Sequence, residues 1–322
     1  MKNSTKILDY ILVAICIISV FLPAAFGLTV ATISVVYSLV SLISYSVKFA
    51  ERIMNWIYKL SFPYTTDEAI ILNAMQIVNF FIGKRFQFLY YFKLIKTNKS
   101  KKITGNTIFF DDFNTFSGER WRKDFPWGNC NNKPENTYVL NGRVVTEMKK
   151  ENFTGFWDGE RKFINTSGMI FSNNTYPAKA TYEARVKFSN VKKTNQAFWL
   201  IKLEDGYMQE FDFEYYHGSR ITASQHWGAN YDPDKHKSDS FAVKVDLSKG
   251  WHVLKFKITK NAIRWYINNK LIKIHFLGIP RLENNIIFGL GNNGKTVEDI
   301  GELDLTKLPA KFKCDWIKVS KN

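Results

Sequence analysis

Cysteine is scarce in this 322-residue chain, with three in all. Three cannot build a disulfide framework, and no spacing among them suggests a zinc site. Cys16 falls in an apolar run, which leaves Cys130 and Cys314 as a pair that could close only in an oxidising compartment. Charge is missing altogether from residues 11–47, ILVAICIISVFLPAAFGLTVATISVVYSLVSLISYSV. A buried soluble helix would show a polar stripe at helical spacing, and none appears before Lys48. A membrane span needs about 20 such residues. The run is too long for one straight span and suits two, broken at residues 23–27, PAAFG. A signal peptide is the other reading of its first half: Lys2 and Lys6, then an apolar centre, then Ala24 and Ala25. Residues 28–47 would still anchor the chain. Residues 1–50 are therefore expected to be an α-helical, membrane-embedded segment of one or two spans.

Acids are also outnumbered, 29 Asp and Glu against 45 Lys and Arg, for a formal charge of +16. Part of the excess lies in residues 84–102, where Lys84, Arg85, Lys93, Lys96, Lys99, Lys101 and Lys102 are interleaved with Phe86, Phe88, Tyr90, Tyr91 and Phe92. Beside an apolar run, that mixture reads as a headgroup-facing segment in contact with membrane lipid rather than as a nucleic-acid patch. Residues 70–82 are apolar but short, which predicts an interfacial helix. Residues 51–103 thus form a basic, amphipathic juxtamembrane region. Positive charge flanks the apolar run on both sides, so a two-span hairpin and a single span put the rest of the chain on opposite sides of the membrane. The reading adopted is an extracytoplasmic domain.

Helical periodicity is missing from residues 104–322. Short alternating runs rich in aromatic and β-branched residues, bounded by Gly, Asn, Asp and Pro, take its place: TIFFDDF, TYEARVKF, AFWLIKL, QEFDFEYY, ITASQHW, WHVLKFKIT and others. Asn141-Gly142 and Asn268-Asn269 read as tight hairpin turns. This is one all-β domain, an antiparallel sandwich or barrel.

Within it, residues 209–216 read QEFDFEYY, with Glu210, Asp212 and Glu214 on one face of the strand and Phe211, Phe213 and Tyr215 on the other. Like charges aligned this way repel and are costly in a structural strand. The Cα atoms of Glu210 and Glu214 lie about 13 Å apart at strand rise, and two glutamates leaning together bring their carboxyls to roughly 5–6 Å. That approaches the separation of about 5–5.5 Å at which one carboxylate attacks a sugar while the other protonates the leaving oxygen. Asp212 between them would raise a neighbour's pKa toward neutrality. Acids at alternate positions also bind calcium.

The signature EFDFE resembles that of glycoside hydrolase family 16, the laminarinase, lichenase and xyloglucan-transferase group. TIFFDDFN, NTYVLNGRVVTEMKK, SGMIFSNNTYPAKATYEARVKF, AFWLI, DLSKGWHVLKFKITKNAIRWYINNKLI and LPAKFKCDWIKV resemble its other strands, in order. The resemblance implies a concanavalin-like β-sandwich jelly roll and a retaining endo-glycosidase on β-linked glucan or galactan. A transglycosylase using the same residues is the alternative, and a silent carbohydrate-binding module the remoter one. Glu210 would be the nucleophile, Asp212 the assisting acid and Glu214 the general acid/base. Glu183 and Arg185 match a cleft-facing pair, and Trp199, His226 and Trp227 are candidate sugar contacts. Asp315 matches a position where some members bind a structural calcium; no cofactor is required. Met208 stands where many members carry Trp.

Overall fold

The computed structural model describes residues 68–92, 95, 103–124, 131–156, 159–216, 219–229, 232, 235–291 and 305–322. The expected membrane-embedded segment, Cys16 and Cys130 lie outside the described residues.

The chain divides into two compact units, Met1–Phe92 and Lys93–Asn322. In the first, a 24-residue helix, α1 (Glu68–Tyr91), occupies the stretch expected to be interfacial and continues through Lys84 and Arg85. Met75, Val78, Ile82 and Phe86 are buried along one face, a helical repeat of three, four and four. Ile77, Phe80, Phe88 and Tyr91 are exposed, so the face turned to solvent is aromatic as well as basic. Among the described residues no helix is long and apolar enough to cross a membrane.

The second unit is a sandwich of two antiparallel sheets. β1 (Thr107–Asp111), β3 (Thr137–Val139), β4 (Val144–Phe156), β5 (Glu160–Thr166), β7 (Thr181–Lys187), β12 (His252–Ile258), β13 (Ile263–Ile267), β14 (Lys270–His275) and β16 (Ala310–Ser320) form a nine-stranded sheet. Its main path runs β14-β13-β12-β7-β16-β4-β3. The seven-stranded sheet is ordered β11-β10-β9-β8-β15-β6-β2. It contains β2 (Trp121–Arg122), β6 (Gly168–Ser172), β8 (Asn195–Glu204), β9 (Tyr207–Tyr216), β10 (Arg220–Ala229), β11 (His236–Lys244) and β15 (Asn285–Gly291).

Alternation decides what each sheet buries. From β9, Phe211, Phe213 and Tyr215 are completely buried between the sheets, and Phe213 meets Phe256 of β12 at 4.7 Å between ring centroids. Phe198 of β8 packs on the same Phe256 at 5.5 Å, and Phe288 of β15 stacks on Phe312 of β16 at 4.1 Å. Each such ring is worth about 1.5–3 kcal/mol relative to exposure. The acids of β9 therefore point the other way, onto the outer face of the seven-stranded sheet.

Both expected hairpin turns are present. Asn141 and Gly142 have φ of 53° and 65°, and Asn268 and Asn269 have 49° and 63°, the left-handed pairs that two-residue hairpins require. A third turn matters more for the site. Asp205 and Gly206, at φ 51° and 75°, join β8 to β9 and pair Glu204 with Tyr207. That register sets Trp199 opposite Asp212 and Ile201 opposite Glu210. A slip of one residue would turn all three acids into the core. Cys314 is a buried free thiol in contact with the Trp316 carbonyl.

Candidate active site

Three neighbouring strands supply the site. β9 carries Glu210, Asp212 and Glu214; β10 sets His226 opposite Glu210 and Ser224 opposite Asp212; β8 sets Trp199 opposite Asp212. Carboxylate oxygens of Glu210 and Asp212 and a ring nitrogen of His226 all lie within 4.8 Å of one another. Behind the acids, the Trp265 indole donates to the Asp212 carbonyl at 3.1 Å, so the strand is pinned from the core side.

The two acids toward the start of the strand form an electrostatic pair. Burial and the charge of Glu214 push Glu210 up to about 7, against which a hydrogen bond with Asp212 works downward. Asp212 is raised well above the carboxylate range by burial, then by Glu210 and Glu214. Two carboxyls in hydrogen-bond contact must share a proton. Asp212 is only 3% exposed, and its Oδ2 meets no donor among the described residues, surroundings that favour a protonated carboxyl in the pair. His226 is held below its ordinary value by burial and by His236 and Lys273, so it is neutral beside the pair.

Glu214 is held differently. Tyr216 donates to its Oε1 at 2.6 Å, Asn195 to the same oxygen at 3.2 Å, and Ser224 to Oε2 at 3.2 Å. Two of these three partners are hydroxyls, which can turn from donor to acceptor. They can serve Glu214 with or without a proton, as a group alternating between acid and base requires.

Four expected site positions are corrected by the fold. Trp227 has the opposite parity from His226. It is 8% exposed, lies between the sheets and meets His275 edge-on at 5.4 Å. Glu183 and Arg185 belong to β7, in the other sheet, and point to its outer face. There Lys318 pairs with Glu183 at 2.6 Å, and Arg185 with Asp315 at 2.8 Å. The alternation in TYEARVKF puts both charges on one face, but β7 belongs to the sheet that does not carry the acids. Asp315, the candidate calcium ligand, carries Arg185 on one oxygen and Arg143 at 3.5 Å on the other. Guanidinium groups fill the positions a cation would need, so the residues do not fit calcium there. Nor does the Glu210–Asp212–His226 group, since calcium takes oxygen ligands and this set shares a proton and includes an imidazole.

Comparison with known proteins bears on the fold and the family. A profile described as glycosyl hydrolases family 16 matches residues 123–316. The chain belongs to glycosyl hydrolase family 16. A beta-glucanase of Bacillus amyloliquefaciens is 24% identical over 234 residues, which cover 70% of this chain and 92% of that one. The beta-glucanase of Bacillus subtilis is 23% identical over 222 residues, covering 66% and 86%. Among solved structures, the LamAcat protein of Zobellia galactanivorans superposes with a TM-score of 0.56 at 14% identity, covering 67% of this chain and 98% of that one. The endo-beta-1,3-glucanase of Pyrococcus furiosus gives 0.54 at 21%, covering 67% and 94%. At these identities the superpositions show a shared fold. Family 16 membership makes the chain a glycoside hydrolase.

The sequence did not single out Ser224 or Asn195 as partners of Glu214. Both follow from register: Ser224 is across β10 from Asp212, and Asn195 is across β8 from Tyr216. Neither is legible until the strands are paired.

Proposed function

We propose that this family 16 chain is a retaining endo-glycosidase acting on β-linked glucan, held at a membrane by residues 11–47 with its β-domain outside the cytoplasm. The observation that carries the chemistry is the set of three acids on one face of β9, with oxygens of Glu210 and Asp212 within 4.8 Å of each other and Glu214 bonded by reorientable hydroxyls. Support for glucan over galactan comes from the relatives, several of which are beta-glucanases.

In the first half-reaction Glu210 attacks the anomeric carbon, and Glu214 gives its proton to the departing glycosidic oxygen. Asp212 keeps its proton and donates a hydrogen bond to Glu210. This disperses charge on Glu210 as the leaving carboxylate is re-formed in the second half-reaction. There Glu214 takes a proton from water, whose oxygen attacks the glycosyl ester, and configuration at the anomeric carbon is retained over two inversions. The Trp199 ring, on the same face and opposite Asp212, offers an apolar surface for a sugar ring. His226, neutral and adjacent to Glu210, offers a hydroxyl partner.

The test is hydrolysis of β-1,3-, β-1,3-1,4- and β-1,4-linked glucans and a β-galactan by the full chain in detergent, with Glu210→Gln as control. The anomer formed first is read by proton NMR. The expected result is oligosaccharide release from a β-1,3-containing glucan with the β anomer appearing first. Longer products made from a short donor, with little reducing sugar, would indicate transfer to sugar instead of water. An α anomer formed first would overturn the retaining reading.

A further inference from the structure

The outer face of the nine-stranded sheet, on the far side of the sandwich from the acids, is unusually rich in cations. Lys187 on β7 stands directly across from Lys313 on β16, and Lys257 on β12 directly across from Arg264 on β13. Like charges facing each other in a ladder are destabilising. The acids on this face do not compensate. Glu183 is taken by Lys318, Asp315 by Arg185 and Arg143, and Glu147 by Lys311 at 3.3 Å. Lys187, Lys257 and Lys313 make no ion pair with any described acid. The crowding shows in the ammonium of Lys313, lowered by burial and then by Lys187, Lys311 and Arg143. Aromatic rings sit among these cations: Tyr266 under Lys255, and Trp251 between Arg143 and Arg185.

We propose that this face docks on an anionic lipid surface, which supplies the missing counter-charge and turns the acids of β9 away from the membrane. An array of lysines with rings at its base suits headgroups, because lysine stems can lie along apolar surface while the ammonium groups reach phosphate. The uncharged run at residues 11–47 selects lipid over an acidic glycan, since it offers the same chain to a bilayer. A glycan partner would more naturally extend from the acids, and this face is separated from them by the whole core. The inference rests on the anchoring reading above, and it adds which surface of the domain meets the lipid.

The full chain is reconstituted into vesicles of phosphatidylcholine alone or with phosphatidylglycerol, and lysine acetylation is followed residue by residue by mass spectrometry. Lys187 and Lys257 are exposed, and exposed Lys237 on β11 of the other sheet is the internal control. A basic residue near an anionic surface gains roughly fivefold in partitioning. Lys187 and Lys257 should therefore react about fivefold or more slowly on phosphatidylglycerol vesicles, with Lys237 unchanged. The protection should vanish near 1 M salt, where charges are screened within about 3 Å. The triple variant Lys187→Gln, Lys257→Gln, Lys313→Gln removes repulsion, so it should fold, cleave soluble glycan like the wild type, and show lysine acetylation that no longer differs between the two vesicle types. Equal rates on the two vesicle types overturn the proposal. So does protection by soluble polygalacturonate with none by phosphatidylglycerol, which would make the face a glycan site. A chain that does not float with phosphatidylcholine vesicles overturns the anchoring reading alone. Protection on anionic vesicles by such a chain would still support docking.

Discussion

Replacing Glu210 with Gln should make the domain more stable at alkaline pH while removing its activity, and the size of the gain follows from the environment of that carboxyl. Burial and Glu214 raise Glu210 from an ordinary 4.5 to about 7. An acid raised in the folded state binds its proton more tightly there than in the unfolded chain. Its contribution to stability is fully present below pH 4.5 and is lost as pH climbs through the window from 4.5 to about 7. At 1.36 kcal/mol per pH unit, ionisation of Glu210 costs up to about 3 kcal/mol. Gln has nearly the same shape and never ionises, so Glu210→Gln should recover most of this at pH 8 and nothing at pH 4. In a domain of this size 1 kcal/mol moves Tm by roughly 2–4 °C. The variant should melt about 6–12 °C above wild type at pH 8, with the two curves converging at pH 4. Calorimetry across that range is the assay, with hydrolysis of a soluble glucan alongside. A variant equally shifted at both pH values, or less stable at pH 8, would refute the claim that Glu210 is strained by burial and like charge.

Other perturbations separate site residues from their neighbours. Tyr216→Phe deletes the 2.6 Å hydrogen bond to Glu214; a bond to a charged group is worth about 1.5–3 kcal/mol, so kcat should fall roughly tenfold or more with KM little changed. Trp227→Ala should cost about 3–5 kcal/mol in denaturant unfolding, whereas Trp199, half-buried against Phe171, Ile201 and Ile287, should cost less when replaced by Ala and should raise KM. Lys273, completely buried, donates to the Ala223 and Asp239 carbonyls and pairs with the Asp239 carboxylate at 2.7 Å. Lys273→Met should therefore cost about 3–5 kcal/mol, and adding Asp239→Asn should restore part of it by removing the stranded charge. Because guanidinium groups hold Asp315, chelation by EDTA should leave both Tm and activity unchanged.

What could be read from sequence was whatever depends on period two. The alternation in QEFDFEYY put the three acids on one face, and the structure has them there. The turn signals at Asn141-Gly142 and Asn268-Asn269 were equally local and equally legible. Three strands carry little of this pattern. β2 has two residues, β5 begins with the charged run ERK, and β11 reads HKSDSFAVK, an edge strand with little apolar surface to betray it. The misplaced site residues share one cause, which is that parity says which face of a strand is polar but not which sheet the strand joins. Glu183 and Arg185 have the right parity on the wrong sheet. Trp227, a candidate sugar contact by resemblance, stands opposite Gln209 in the register with β9, on the core side. The partners of Asp315, Arg143 and Arg185, are far away in sequence, so its ion pairs show only in the fold. The upward shift of Glu210 and Asp212 is likewise invisible in sequence, since it depends first on burial that only the assembled sheet provides.

Trapping the covalent intermediate tests the central claim most directly. A 2-deoxy-2-fluoro β-glucosyl or laminaribiosyl fluoride slows the second half-reaction, so the glycosyl-enzyme accumulates and its peptide can be sequenced by mass spectrometry. The expected outcome is one adduct of one glycosyl unit, esterified to Glu210 and absent from Glu210→Gln. An adduct on Glu214, or steady turnover of the fluoride with no adduct at any time, would contradict the account.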